Sequence, residues 1–353
     1  MTRHLKTPLT LLAALALTSG LALAEDAPVK KDAGAQSPWT FVASGEKAAR
    51  DAAAEADDPA GAKVIGGKVA QDGAWPWQVA LTMAEKPVSV DSQFCGGSMV
   101  LDQWVLTAAH CVHWADEQGV GFDLLPQEIA IVVGTNKLDG SGDRVPVEAI
   151  YKHPSYNVNG LDYDIALIKL ARKPNAPYQT VEVPDADFGT MLQEPGITTI
   201  VTGWGLQNGG RPSPDLREAQ IQMLDRSMCN TAMMEARAEE AAIGFSYAVN
   251  TLSVGDEAAY ALWDQLIAAA PEPITDNMIC SGTFEGGKTS CNGDSGGPLV
   301  VPLEDGSYIQ AGIVSWGLTS TSGHGCEEQA MFSAYTDVSA FVPWLNETIT
   351  AHP

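Results

Sequence analysis

Residues 286–298 read GGKTSCNGDSGGP, with Ser295 set between Asp294 and the pair Gly296-Gly297. A serine hydroxyl is a weak nucleophile at neutral pH. It attacks a carbonyl only when a base takes its proton, a third group orients that base, and donors meet the oxygen that becomes negative. The quoted stretch can supply the donors. Gly293 has no side chain, so its N–H is free to turn toward a pocket shared with the N–H of Ser295. The base and the orienting acid must come from elsewhere in the chain.

Six histidines are available: His4, His110, His113, His153, His324 and His352. His110 lies in VLTAAHC, among small residues and beside Cys111. The segment YDIALIKL puts Asp164 at the mouth of an otherwise apolar strand. Taken singly, a histidine among small residues or an aspartate at a strand end is more often structural than catalytic.

Further out, short apolar or alternating runs recur: Gln78–Met83, Ser98–Val105, Ile129–Val133, Val145–Ile150, Ile165–Leu170, Thr198–Gly203, Leu299–Pro302 and Gln310–Trp316. Gly, Pro, Asn and Asp separate them, which predicts an all-β sandwich or barrel. Residues 232–270 break the pattern with MEARAEEAA and DEAAYALWDQLIAAA, both helix formers with apolar residues at helical spacing. Asp337–Thr350 reads as a C-terminal amphipathic helix, with Asp337 as its N-cap.

The N-terminus reads as a secretory signal over residues 1–24. Arg3, His4 and Lys6 precede a Leu/Ala run ending in Ala22-Leu23-Ala24. The run is short for a membrane anchor and is interrupted by Thr18, Ser19 and Gly20. Residues 25–63 are rich in Ala and charge, without cysteine, and read as a solvated pro-segment. These features predict a secreted or periplasmic protein with no membrane attachment after signal removal.

The chain of 353 residues carries 20 Lys/Arg and 44 Asp/Glu, a formal charge of −24, with 45% hydrophobic residues. Residues 1–63 hold seven of the basic and eight of the acidic groups, leaving 13 and 36, a net of −23, in residues 64–353. That balance argues against nucleic acid and against a polybasic hold on anionic lipid. Solubility accounts for it; adaptation to salt or a preference for basic substrates is a sharper reading. The cysteines are Cys95, Cys111, Cys229, Cys280, Cys291 and Cys326. In an exported chain an even number points to disulfides, with several pairings open. No Cys-x-x-Cys pair suggests zinc, and no metal or cofactor is expected.

In combination, the order His110, Asp164, Ser295 within these local words resembles the chymotrypsin/trypsin family of serine endopeptidases. The resemblance runs from Val64 to Pro353 with one large interruption. It is carried by WPWQVAL from Trp75, CGGSMVLDQWVLTAAHC from Cys95, TGWG from Thr202, GDSGGP from Gly293 and VSWG from Val314. It implies two antiparallel six-stranded β-barrels with the active site in the cleft between them. Ser295 is then the nucleophile, His110 the base and Asp164 its orienting acid, and the N–H groups of Gly293 and Ser295 form the oxyanion hole. Ser315, expected to hydrogen-bond Asp164, would with Trp316 and Gly317 line the substrate channel.

The resemblance also pairs Cys95 with Cys111, Cys229 with Cys280, and Cys291 with Cys326. It implies a zymogen cut after Lys63, whose new amino terminus at Val64 pairs with Asp294. Thr289 falls at the floor of the primary specificity pocket, where trypsin-like members carry an aspartate, and Ser333 narrows its wall. An uncharged floor predicts apolar P1 residues; Glu327 and Glu328 keep a Lys/Arg preference as the alternative. Protein or peptide substrates and an activating protease are the implied partners, and a monomer is expected. A catalytically inactive homologue acting as a binding protein is the other alternative, although such homologues usually lose a triad member. Fifty residues separate Cys229 from Cys280, several times the usual span, so the helical segment reads as an insertion. The resemblance implies that it borders the cleft on the side that binds residues preceding the scissile bond, with a surface elaboration as the alternative. The stretch Gly317–Cys326 is also longer than usual.

Overall fold

The computed structural model describes residues 67–116, 118–206, 211–283, 289–320 and 332–353, together with the backbone of 33–35; for 318–320 as well only the backbone is described. In chain order the strands begin with β1 (Ala33–Ala35), β2 (Lys68–Val69), β3 (Gln78–Met83), β4 (Gln93–Leu101) and β5 (Trp104–Thr107). They continue with β6 (His113–Ala115), β7 (Gly121–Asp123), β8 (Ile129–Val133), β9 (Asp143–Lys152) and β10 (Ala166–Leu170). Six of them close into an antiparallel barrel in the order β10-β5-β4-β3-β8-β9. The inner strands carry almost unbroken apolar runs: all five residues of β8, IAIVV, are buried, and only Met83 of β3 is partly open. Ser98–Val105, read above as one run, is instead two strands. Asp102 and Gln103 turn between β4 and β5, which pair with each other. The two polar residues interrupt the apolar run and mark the turn.

The second barrel is built from β11 (Thr198–Gly203), β12 (Arg217–Met223), β13 (Met278–Gly282), β14 (Pro298–Pro302), β15 (Tyr308–Ser320) and β16 (Phe332–Asp337). Its order is β15-β14-β11-β12-β13-β16, closed by pairing of β15 with β16. Here β12 alternates: Arg217, Ala219, Ile221 and Met223 are buried, while Gln220 and Gln222 are exposed. Strand β2 adds to β12, and a Lys68–Glu218 ion pair of 3.1 Å lies beside that pairing. The two six-stranded barrels are the fold that the family resemblance implies.

Four α-helices are described: α1 (Ala186–Leu192), α2 (Arg226–Thr251), α3 (Asp256–Ala269) and α4 (Val342–Ala351). Asp225 caps α2, its side chain accepting from the N–H of Met228 at 3.1 Å. The insertion therefore starts six residues before the predicted boundary, and Cys229 lies inside its first turn. Cys229, Ala232, Met233 and Ala236 on one face of α2 pack with Leu161, Ile274, Trp316 and Phe332. The far side of the pair stays in solvent, with Ile243, Tyr247 and Leu252 exposed. Asp337 caps not the C-terminal α-helix but the 3-10 turn Val338–Phe341 that leads into it. No helix among the described residues is long and apolar enough to cross a membrane.

Candidate active site

The geometry begins where β5 ends. Its last residue, Thr107, is followed by a 3-10 turn at Ala109–Cys111 that holds His110 buried at the barrel rim. The Cys95–Cys111 disulfide ties this turn to β4. Asp164 lies two residues before β10, the strand that pairs with β5, so pairing brings the two side chains to one end of the first barrel. One Asp164 oxygen accepts from the His110 backbone N–H at 2.8 Å; the other lies 2.7 Å from His110 Nδ1. That second oxygen also accepts from Ser315 Oγ on β15 at 2.5 Å. Thr336 Oγ1 donates to the Asp164 carbonyl at 2.7 Å. Asp164 is fully buried, and four donors from three separate segments fix its position. With Nδ1 facing a carboxylate, the ring carries its proton on that nitrogen and leaves Nε2 as the basic atom.

The backbone just before Asp164 departs from the usual regions. Leu161 and Tyr163 have φ of 51° and 56°. Neither is glycine, so the loop is held against its own preference. Asp162 does the holding: its Oδ1 accepts from the side chains of Thr275 and Asn277 at 3.0 and 2.8 Å. The second barrel's side of the molecule thus clamps the loop that carries Asp164.

Ser295 arrives from the second barrel, in the loop before β14, and is buried. Both barrels bind this loop. The Gly96 N–H of β4 donates to the Ser295 carbonyl at 2.7 Å, and the Gly296 N–H donates to the Val314 carbonyl of β15 at 2.8 Å. Gln93 Nε2 donates to the Gly293 carbonyl at 2.7 Å. Gly293 has φ of 93°, and a Cβ there would sit 3.0 Å from the Gly205 Cα, so only glycine fits. Ser295 Oγ and His110 Nε2 are not joined by a hydrogen bond in this structure. Apo sites commonly show such loose geometry, which tightens once substrate binds.

Asp294 is buried beneath this loop. Its carboxylate accepts from the N–H of Gly205 at 2.8 Å and of Cys291 at 2.9 Å. Burial pushes its pKa up to about 6, against the pull of those two N–H groups. No cation pairs with it among the described residues. Lys63 and Val64, the expected activation site, lie outside them.

Thr289, Ser290 and Ser333 are buried together. Thr289 Oγ1 and Ser290 Oγ lie 2.6 and 2.7 Å from Ser333 Oγ. Ser333 faces Gly317 across the β15–β16 pair. Thr289 and Ser333, expected at one pocket, thus come together with Ser290, which was not expected there, as three neutral hydroxyls that satisfy one another. Glu327 and Glu328 lie outside the described residues, as does Cys326. The Cys229–Cys280 disulfide is present as expected. Sequence reasoning missed Gln93, Asp162 and Thr336, which carry no local signal; each acts on a residue far away in the chain.

Comparison with known proteins agrees with this geometry. The sequence model of the family described as Trypsin matches residues 64–345. Anionic trypsin of Canis lupus familiaris is 34% identical over 293 residues, covering 82% of this chain and 91% of that protein. Serine proteinase stubble of Drosophila melanogaster is 30% identical over 295 residues, 81% of this chain but 31% of that protein. Transmembrane protease serine 7 of Mus musculus is 31% identical over 303 residues, 81% of this chain and 28% of that protein. The chain spans less than a third of the length of these last two. It belongs to the trypsin family.

Proposed function

We propose that this member of the trypsin family is an exported serine endopeptidase, made as a zymogen. The observation that carries the reading is the buried Asp164 carboxylate at 2.7 Å from His110 Nδ1, beside a glycine-bounded loop that presents Ser295. His110 Nε2 takes the Ser295 proton as Oγ attacks the scissile carbonyl. The oxygen that becomes negative is met by the N–H groups of Gly293 and Ser295. His110 then protonates the leaving amine, and water repeats the sequence on the acyl-enzyme. Asp164 keeps the imidazole in the correct tautomer and stabilises its cation; Ser315 and Thr336 hold Asp164.

Cleavage after Lys63 frees the Val64 ammonium, which inserts beside Asp294. A buried carboxylate without a counter-ion is costly, and that cost favours insertion. The neutral floor of Thr289, Ser290 and Ser333 supports apolar P1 residues over Lys and Arg. The likeness to an anionic trypsin favours the opposite preference, and Glu327 or Glu328 would then supply the charge. The decisive experiment uses protein starting at Val64. Peptide hydrolysis should fall by several orders of magnitude in Ser295→Ala while the fold is retained. Near-normal hydrolysis by that variant, or none by the unsubstituted protein, overturns the reading.

A further inference from the structure

We infer that Arg237, on the inserted helix α2, forms with Trp316 a subsite for an acidic side chain of the substrate on the N-terminal side of the scissile bond. The inference rests on the proposed peptidase reading, in which β15 at Ser315–Gly317 pairs with the extended substrate. Trp316 follows Ser315, the residue bonded to Asp164, so it stands one strand position from the catalytic machinery. The guanidinium carbon of Arg237 lies 5.6 Å from the centre of the Trp316 ring. A cation over an indole face is held there by the ring quadrupole, which leaves its N–H groups free to face a ligand.

Arg237 is the donor left open to a ligand. Trp316 is 4% exposed and its Nε1 is buried out of a ligand's reach, so its ring serves as the surface on which the guanidinium rests. Among the described residues Arg237 has no ion pair within 4.0 Å; Glu240 on the same helix acts on it only at longer range, and burial disfavours its charge. In a region of net charge −23, a half-buried arginine with no carboxylate at contact distance is unusual. The guanidinium's planar fork of donors matches a carboxylate, which can accept from two of its N–H groups at once. The α2 face that carries Ala232, Met233 and Ala236 is anchored against Leu161 and Phe332, so the arginine is presented from a packed element. The acidic surface around it would repel an acidic substrate elsewhere, which confines the attraction to this point.

The test uses protein starting at Val64 and matched peptides that share one P1 residue and carry Glu, Ala or Lys in turn at P2, P3 and P4. At one of these positions Glu should exceed Lys in kcat/KM by roughly tenfold, chiefly through KM, as expected for one partly desolvated charge pair. Arg237→Gln should bring that ratio close to one, and Arg237→Glu should invert it. Circular dichroism and thermal unfolding of each variant separate a lost contact from a lost fold. A ratio near one at all three positions in the unsubstituted enzyme refutes the subsite. So does a ratio that survives Arg237→Gln. Failure to cleave even the Ala peptides would sink the peptidase reading itself, and the subsite with it.

Discussion

At Asp294, two backbone N–H groups do not offset full burial, and the pKa sits near 6. A carboxyl raised from about 4 in the unfolded chain to about 6 stabilises the folded state below pH 4, where it is protonated in both. That contribution is lost as pH rises through 6, because the folded chain must then hold an unpaired buried anion. Two pKa units are worth about 3 kcal/mol. Urea unfolding of the precursor should therefore lose about 3 kcal/mol of stability between pH 4 and pH 7 that Asp294→Asn does not lose. If Val64 inserts as proposed, the processed enzyme should lack that slope too. Equal slopes in the precursor, the variant and the processed form would show that Asp294 already has a partner. Asp143 behaves in the opposite sense. The Arg172 guanidinium holds its carboxyl at about 2, so its smaller, half-exposed contribution is present at neutral pH and fades only in acid.

The first barrel was legible nearly strand by strand because its strands are runs of aliphatic residues bounded by turn formers. In the second only β11, β14 and β15 were read, β12, β13 and β16 were not, and the two-barrel arrangement came from the family resemblance. β8 needs nothing beyond Ile129-Ala-Ile-Val-Val133 to be recognised. The hairpin of β6 and β7 was not legible: each strand has three residues, partly or fully exposed, and the pairing carries a His113–Asp123 contact of 2.5 Å across ten residues of chain. The hydroxyl cluster of Thr289, Ser290 and Ser333 was half legible. Both ends were expected at one pocket, but their hydrogen bonding depends on how β16 registers against β13 and β15. The helical insertion was recognised as a segment, but its docking was not. Helical spacing says which face of α2 is apolar and nothing about Leu161 or Trp316 beneath it. The Cys229–Cys280 bridge anchors the base of that insertion across 51 positions. Chain-entropy arguments assign such a loop about 4 kcal/mol. Replacing both cysteines with serine should lower stability by up to that amount. Met233→Ala should cost about 2–5 kcal/mol by emptying the core at the same base. Chemical denaturation measures both, and a change below about 1 kcal/mol in each would mean that the insertion is held elsewhere.

For the whole molecule, the proposed pocket and the proposed activation site are mismatched. The proposed cut follows Lys63, yet the residues gathered at the pocket floor are Thr289, Ser290 and Ser333, all neutral and all bonded within the cluster. A lysine ammonium entering there would lose water and gain no counter-ion. A missing buried charge partner is worth about 3–5 kcal/mol, or roughly two to four decades in selectivity. The enzyme should therefore process its own precursor poorly and depend on a second protease of trypsin-like preference. Two measurements bear on this. On matched peptides the processed enzyme should favour Phe, Leu, Met or Tyr over Lys and Arg at P1, and Thr289→Asp should move kcat/KM toward the basic residues by at least tenfold. Purified precursor seeded with a trace of active enzyme should stay intact at Lys63, whereas a trace of trypsin should convert it. Rapid self-conversion, together with a Lys or Arg preference in the unsubstituted enzyme, would mean that an acid from outside the described residues reaches the pocket. The hydroxyl cluster would then be the wall of a trypsin-like site and not the floor of an apolar one.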